Sequence, residues 1–366
     1  MPTLRIATFN VENLFSRAKI LNFQKNESAV EPLNRVEELR AELSKDVYDK
    51  PKIVALYQEL KDLIEIVEVR EKLFNKAKTK VLVKGVKNWG GFIEFRRAKF
   101  NEAARANTAR VLREVNADIC CLVEVESREV LKHFCIDLLP KTGAFRDYKF
   151  HMLVDANDPR GIDVALASRL PIRRMQSHMD EKSGSSHIFS RDCLEIEVEL
   201  KNGKSLWLLL NHFKSKSGSF NPAEKEKNDK RRLKQSERVA GILKEKYDLT
   251  KDYVVVCGDL NDTDDNPPHH PLKPLLELPN LTDVLKEKFP AEPEKRWTYH
   301  FTKNEQIDYL LVSEPLRLAL KDAGVERRGI HNVQKYTNGE IQPFDTVLKP
   351  SDAASDHGAV WADFAI

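Results

Sequence analysis

Apolar residues follow two rhythms along this chain. Leu4-Arg5-Ile6-Ala7-Thr8-Phe9 predicts a strand that runs out at Asn10-Val11-Glu12-Asn13, since short apolar runs bounded by polar residues suit a buried strand. Residues 118–123 predict a second strand, ending in Glu124-Val125-Glu126. Phe150–Val154 and residues 161–167 predict two more, the latter closed by Pro171. Residues 193–200 and 205–210 meet at Asn202-Gly203, a dipeptide suited to a tight hairpin turn. The second of these ends at Asn211-His212-Phe213. Val254-Val255-Val256 predicts a fully buried strand that stops at Gly258, with Asp259 and Asn261 on one side of the chain just beyond it. Ile307–Val312 and Ala359–Phe364 complete the set, with Asp308 near the start of one and Ser355-Asp356-His357 before the other.

The second rhythm is helical. Phe100, Ala103, Ala104, Val111, Leu112 and Val115 predict a helix over 99–116, and further helices are expected over 128–139 and 230–245. Residues 16–98 interrupt the pattern. Within them Leu33, Val36, Leu39 and Leu43 recur at helical spacing, as do Ile53, Leu56, Tyr57, Leu60, Leu63, Ile64 and Val67 after Pro51. Two short alternating runs, Lys80–Val83 and Phe92–Phe95, are expected to pair as a hairpin. The segment is expected to be a helical, basic insertion in a single domain spanning 1–366, too poor in aromatic residues to hold much core alone. Pro267, Pro268, Pro271 and Pro274 predict a long exposed loop. Strands alternate with helices and hairpins then intrude, which argues for an α/β or α+β layered fold.

Composition narrows the class without naming a function. The 366 residues are 41% hydrophobic and 32% charged, which suits a globular protein with a sizeable core rather than a disordered chain. No apolar run has the length of a membrane span, and the start shows no secretory signal, so the expected location is cytoplasmic, or secreted if a leader was removed. The five cysteines have no zinc-site spacing, and Cys120, Cys121 and Cys257 sit in apolar runs as reduced core residues. The net charge of +3 hides two basic clusters, residues 70–110 and 214–234, of the kind that attracts polyanions or forms a solvated face. Trp89 and Phe92 lie within the insertion among basic residues, where a core role is favoured over stacking on bases.

Polar groups gather at the strand ends: Asn10, Glu12, Glu124, His212, Asp259, Asn261, Asp308, Asp356 and His357. Singly, each has an ordinary explanation, such as capping a turn or opening a helix. As a set they are hard to dismiss. Hard oxygen donors suit Mg²⁺, Mn²⁺ or Ca²⁺, and a histidine that titrates near neutrality suits proton transfer.

The wording resembles the exonuclease–endonuclease–phosphatase superfamily of deoxyribonuclease-like metallohydrolases. The matching segments are Thr8-Phe9-Asn10-Val11-Glu12-Asn13-Leu14-Phe15, Leu122-Val123-Glu124-Val125-Glu126, Gly161-Ile162-Asp163-Val164-Ala165, Asn211-His212-Phe213-Lys214-Ser215-Lys216, Gly258-Asp259-Leu260-Asn261-Asp262, Ile307-Asp308-Tyr309 and Ser355-Asp356-His357. They follow the family's order and span the chain apart from 16–98. The resemblance implies an α+β fold, a four-layer αββα sandwich of two mixed sheets with helices outside. It implies that Asn10, Glu12, Glu124 and Asp356 attend a metal, Mg²⁺ first. It implies that His212 stabilises the phosphate or protonates the leaving oxygen, that Asp259 and Asn261 hold water and a phosphate oxygen, and that Asp308 orients the base His357.

The implied activity is metal-dependent phosphodiester hydrolysis, with a DNA endonuclease of little sequence specificity favoured. A phosphatase or phosphodiesterase for a small substrate is the alternative, and an inactive scaffold a remote one. Lys214 and Lys216 are expected at the cleft mouth as phosphate contacts, with Arg160 and Arg191 as further candidates. Nucleic acid is the expected partner, with no membrane and no obligate protein partner.

Overall fold

The computed structural model describes residues 3–14, 27–96, 102–143, 145–158, 161–216, 221–264 and 269–366. Two six-stranded sheets carry the larger unit. Its strands are β1 (Thr3–Leu14), β2 (Ile119–Val125), β3 (Phe150–Leu153), β4 (Asp163–Ser168), β5 (Ile172–Gln176), β6 (Cys193–Glu199), β7 (Ser205–His212), β8 (Tyr253–Asp259), β9 (Leu281–Asp283), β10 (Asp308–Ser313), β11 (Leu320–Glu326) and β12 (Ala359–Ala365). One sheet has the order β11-β12-β1-β2-β4-β3 and the other β9-β10-β8-β7-β6-β5. Each is mixed: β1 and β2 run parallel, as do β7 and β8, while the other pairs are antiparallel.

Period-two alternation explains the layering. Ile6, Cys121, Val164, Leu208 and Val255 point between the sheets into one shared core. Their neighbours point outward. Ala7, Cys120 and Leu122 pack against α1 (Glu102–Val115) through Val111, Leu112 and Val115. Leu209, Val254 and Val256 pack against α2 (Pro222–Lys246) through Val239, Ile242 and Leu243. A helix thus covers the outer face of each sheet, giving the α+β sandwich expected. The valine run is buried on both faces because it stands in the middle of its sheet, with β7 and β10 on either side. All five cysteines are buried and unbridged.

Several local expectations need correction. Helix α2 starts at Pro222 rather than 230, where the Asn221 side chain accepts a hydrogen bond from the Ala223 amide and Pro222 fits the first turn. The helix from Arg128 is helical as expected but not uniform: it is α to His133, widens to a π turn over Phe134–Leu138 and tightens to a 3₁₀ turn over Leu139–Thr142. Of the proline-rich stretch, Pro267 and Pro268 lie outside the described residues, and the part after them is partly packed, since Leu272 and Leu275 are buried.

The second unit, Ser16–Phe100, has helices Glu27–Leu43 and Lys50–Leu60, the latter capped by the Asp49 side chain. Its hairpin pairs Ile64–Arg70 with Gly90–Phe95, not 80–83 with 92–95. Ile64 and Val67 fit the helical spacing that precedes them, which disguised the strand; Val81 instead bridges Phe74. The unit also holds more core than its aromatic count suggests. Tyr48, Tyr57, Phe74 and Trp89 are all buried with ten aliphatic residues in one cluster, while Phe92 is exposed. Residues 15–26 and 97–101 lie outside the described residues.

Candidate active site

Strand register aligns the site. In parallel pairing His212 stands beside Asp259, and in antiparallel pairing Asp259 stands beside Asp308. Three adjacent strands of one sheet therefore deliver an imidazole and two carboxylates in a row. Gly258 makes the approach possible: its φ is +128°, and a β-carbon there would lie 1.9 Å from the Asn211 carbonyl oxygen.

The other sheet contributes from β1 and β2. Their register slips between Asn10 and Leu14, and the β2–β4 pairing slips between Val123 and Val125. Such bulges re-aim side chains. Glu12 and Glu124 sit there with φ of 47° and 69°, and Asn261 has 55°. Left-handed backbone is uncommon for such residues and is typically held in place at functional sites. The two sheets meet where Asn10 Nδ2 donates to Asp259 Oδ2 at 3.1 Å.

The loop before β12 adds the last members. Ser355 Oγ donates to the Asn10 carbonyl at 2.7 Å, and His357 N donates to Ser355 Oγ at 3.0 Å. The Asp356 amide donates to Glu12 Oε2 at 3.1 Å. His357 Nδ1 lies 2.8 Å from Asp308 Oδ2. The same carboxylate oxygen accepts Thr298 Oγ1 at 2.6 Å, and Thr298 Oγ1 in turn accepts the amides of Ile307 and Asp308. Tyr299 packs its ring on the His357 ring at 4.8 Å between centroids.

Electrostatics follow from crowding. Burial pushes the Asp259 carboxyl up to about 7, helped by the neighbouring Asp308 charge. Burial opposes a cation on His357, but Asp308, Asp356 and Asp259 together raise its imidazole well above the ordinary value. Glu12 is exposed as a residue, yet its carboxyl end is desolvated and faces Asp356, and it rises to about 7. His212 Nε2 stands 3.7 Å from Asp259 Oδ2 and 3.9 Å from Glu124 Oε1.

All nine strand-end residues named from the sequence thus belong to one neighbourhood. Asp259, Asp308 and His357 offer ligand atoms within 4.8 Å of one another. Asp308 Oδ2 and His357 Nδ1 are already joined to each other, however, so that trio reads better as an acid–histidine pair. Glu12, Glu124 and Asp356 keep more solvent access and repel one another, which is the donor set a hard, partly hydrated divalent cation fits.

The four predicted phosphate contacts fare differently. Lys214 is half-buried, its amide bound to Gln235 Oε1. Lys216 lies 3.5 Å from both Asp262 and Glu305. Arg191 is only 3% exposed, with Nε on Asp158 Oδ2 at 2.8 Å and Nη1 on the Phe213 carbonyl at 2.5 Å. Its buried guanidinium thus shares the Phe213 carbonyl with Asn261 Nδ2, 3.2 Å from that oxygen. Arg160 lies outside the described residues. Sequence reasoning missed Thr298, Tyr299 and Ser355 as site members. A lone hydroxyl has no periodic signature, and only Ser355 stood in a motif already quoted.

Residues 89–357 match the Endonuclease/Exonuclease/phosphatase family. The chain belongs to that family. No curated protein matches it. Among solved structures, an endonuclease/exonuclease/phosphatase family protein from Bacteroides thetaiotaomicron is similar at 13% identity and a TM-score of 0.51, over 100% of this chain and 99% of that one. TDP2 from D. rerio, complexed with a single-strand DNA product, is similar at 15% identity and a TM-score of 0.50, over 73% of this chain and 94% of that one. At such identities the likeness shows the endonuclease/exonuclease/phosphatase fold.

Proposed function

We propose that this chain is a divalent-metal-dependent phosphodiester hydrolase whose substrate is nucleic acid, with DNA endonuclease activity its foremost form. The observation that carries the reading is the His357–Asp308 pair set beside Asp259 and facing the Glu12, Glu124 and Asp356 carboxylates.

A phosphodiester is anionic and resists attack by water, so hydrolysis needs charge neutralisation, a positioned water and help for the leaving oxygen. Glu12, Glu124 and Asp356, with Asn10 adjoining, would hold Mg²⁺, whose chemistry when bound is to neutralise the phosphate charge. Asp308 accepts a hydrogen bond from the Nδ1–H of His357, which leaves Nε2 as the atom that exchanges a proton with the attacking water. Thr298 fixes Asp308, and Tyr299 limits how the imidazole can tilt. Asp259 orients the water, held by Asn10 and the Asn261 amide. Asn261 and His212 meet the phosphoryl oxygens as charge grows there. Each proton transfer of this kind is worth ~10²–10⁴-fold.

Lys214 stands two residues beyond His212, close enough in sequence to reach a flanking phosphate. Arg160, next to the matched Gly161 segment, is a further candidate. The test is a substrate panel with Mg²⁺, Mn²⁺ and Ca²⁺: supercoiled plasmid, RNA, abasic DNA, bis-p-nitrophenyl phosphate and inositol phosphates. Nicked plasmid that disappears with EDTA is expected. Turnover of a small phosphate ester with plasmid untouched would transfer the reading to a phosphatase or small-substrate phosphodiesterase.

A further inference from the structure

A groove of about 820 Å³ lies between the segment 183–190 and the first half of helix α2. Lys227, Lys230, Arg231 and Lys234 line its helical wall. Their spacing of three, four and seven residues puts all four on one helix face, along roughly 10 Å of axis. Ser183, Ser185 and Ser186 stand exposed on the facing wall beside His187, and Ser183 Oγ accepts from Lys234 Nζ at 3.4 Å. Glu226 is the one acid lining the groove among the described residues. It pairs with Lys230 at 2.6 Å, and Lys227 lies 3.6 Å from Glu224. The Arg231 side chain, half-buried in the wall, has no ion pair or hydrogen bond among the described residues. The groove is thus cationic on one side and rich in hydroxyl donors on the other.

Such a lining does not suit a small apolar ligand, whose pockets are mostly hydrophobic. It suits a row of phosphates. Among the described residues of the lining the only aromatic carbocycle is Phe189, which is fully buried and presents no face for a base to stack on. The groove also adjoins the site. Gln235 on the same helix donates to the Ile188 carbonyl and accepts the Lys214 amide, two residues past His212. Ser190 precedes Arg191, which holds the Phe213 carbonyl.

We propose that this groove binds the phosphate backbone of the strand that the neighbouring site cleaves, without reading its bases. The proposal rests on the nuclease reading above. Its test is binding of a fluorescent single-stranded 20-mer in EDTA, followed by anisotropy over a salt series. The wild type is compared with K227Q/K230Q/R231Q/K234Q. A control removes equal charge at the opposite end of the sandwich: K201Q/K204Q/K251Q/K321Q. Thermal melts check folding, and R231Q/K234Q serves if the fourfold variant is unstable.

Removing one side chain that neutralises a phosphate makes the salt slope shallower by about 0.7 for a single strand. The groove variant is therefore expected to bind at least tenfold more weakly at low salt, with a slope shallower by about 2–3, while the control changes far less. Equal weakening in groove and control variants, or no binding by the wild type, overturns the proposal. Plasmid nicking by a wild type whose groove and control variants bind alike sinks the groove alone. Binding through the groove with no cleavage of any nucleic acid sinks the nuclease reading instead.

Discussion

Asp308 depends on a hydroxyl. Its Oδ2 accepts both Thr298 Oγ1 and His357 Nδ1, while its Oδ1 is buried with no hydrogen-bond partner among the described residues. Replacing Thr298 with valine keeps the shape and removes the donor. The buried carboxylate and the Ile307 and Asp308 amides are then left short of partners, at a cost of about 1–3 kcal/mol. Thr298→Val is expected to lower both the urea midpoint and kcat, and Thr298→Ser to restore both. A valine variant with unchanged midpoint and turnover would show that the hydroxyl is idle.

This residue also marks what the sequence conceals. His212, Asp259 and Asp308 were legible because each abuts an apolar run whose end is visible. Thr298 bonds to a residue ten positions away across a turn, through a side chain common on any surface. Arg191 shows how burial stays hidden in a sequence. A cation near a matched motif reads as a phosphate contact, but only the fold reveals that Asp158 and a carbonyl oxygen enclose it.

At the scale of elements, strand pairing around β8 carries the site. Gly258→Ala would drive a β-carbon into the Asn211 carbonyl oxygen and strain a backbone at φ +128°. The alanine variant is expected to lose at least ~2 kcal/mol, read as a fall in thermal midpoint together with activity. An alanine variant as stable as wild type would refute the assigned β7–β8 register.

A second element-level prediction concerns the seam between β6 and the end of α2. Burial alone would raise the Glu195 carboxyl, but His178 Nε2 at 3.2 Å and Lys246 Nζ at 2.8 Å hold it at about 2. Its folded value lies below the ordinary 4.5. The stabilisation is therefore complete above that value and is lost as pH falls from it toward about 2. Glu195→Gln removes the titrating group, so urea unfolding measured across this window should depend less steeply on pH than in the wild type. Equal slopes in the two proteins would count against the seam. Helix α2 also explains why a basic cluster in sequence is less basic in space. Arg232 is buried between Asp229 and Asp262, and Lys225 pairs with Asp229.

For the whole molecule, the layered fold was legible because alternation, hairpin turns and helical spacing all agreed, and consistency of that kind is what specifies a fold. The inserted unit was read less well. Its strand Ile64–Arg70 follows a helix whose apolar spacing it prolongs, so periodicity alone could not divide them.

A cation that binds only the folded chain must stabilise it, by about 2.7 kcal/mol at a hundred times Kd. Mg²⁺ is expected to raise the melting temperature of the wild type and to do so far less in Glu124→Gln. Equal shifts in both would remove Glu124 from the metal set.

On the function proposed above, His357 and Asp259 act on the attacking water at one end of the sandwich. The most direct measurement is Mg²⁺-dependent turnover of wild type, His357→Ala and Asp259→Ala on the phosphodiester that the wild type cleaves, with thermal melts alongside. Losses of ~10²–10⁴-fold in each variant at near-native stability are predicted. Turnover within a few-fold of wild type in either folded variant would contradict the account.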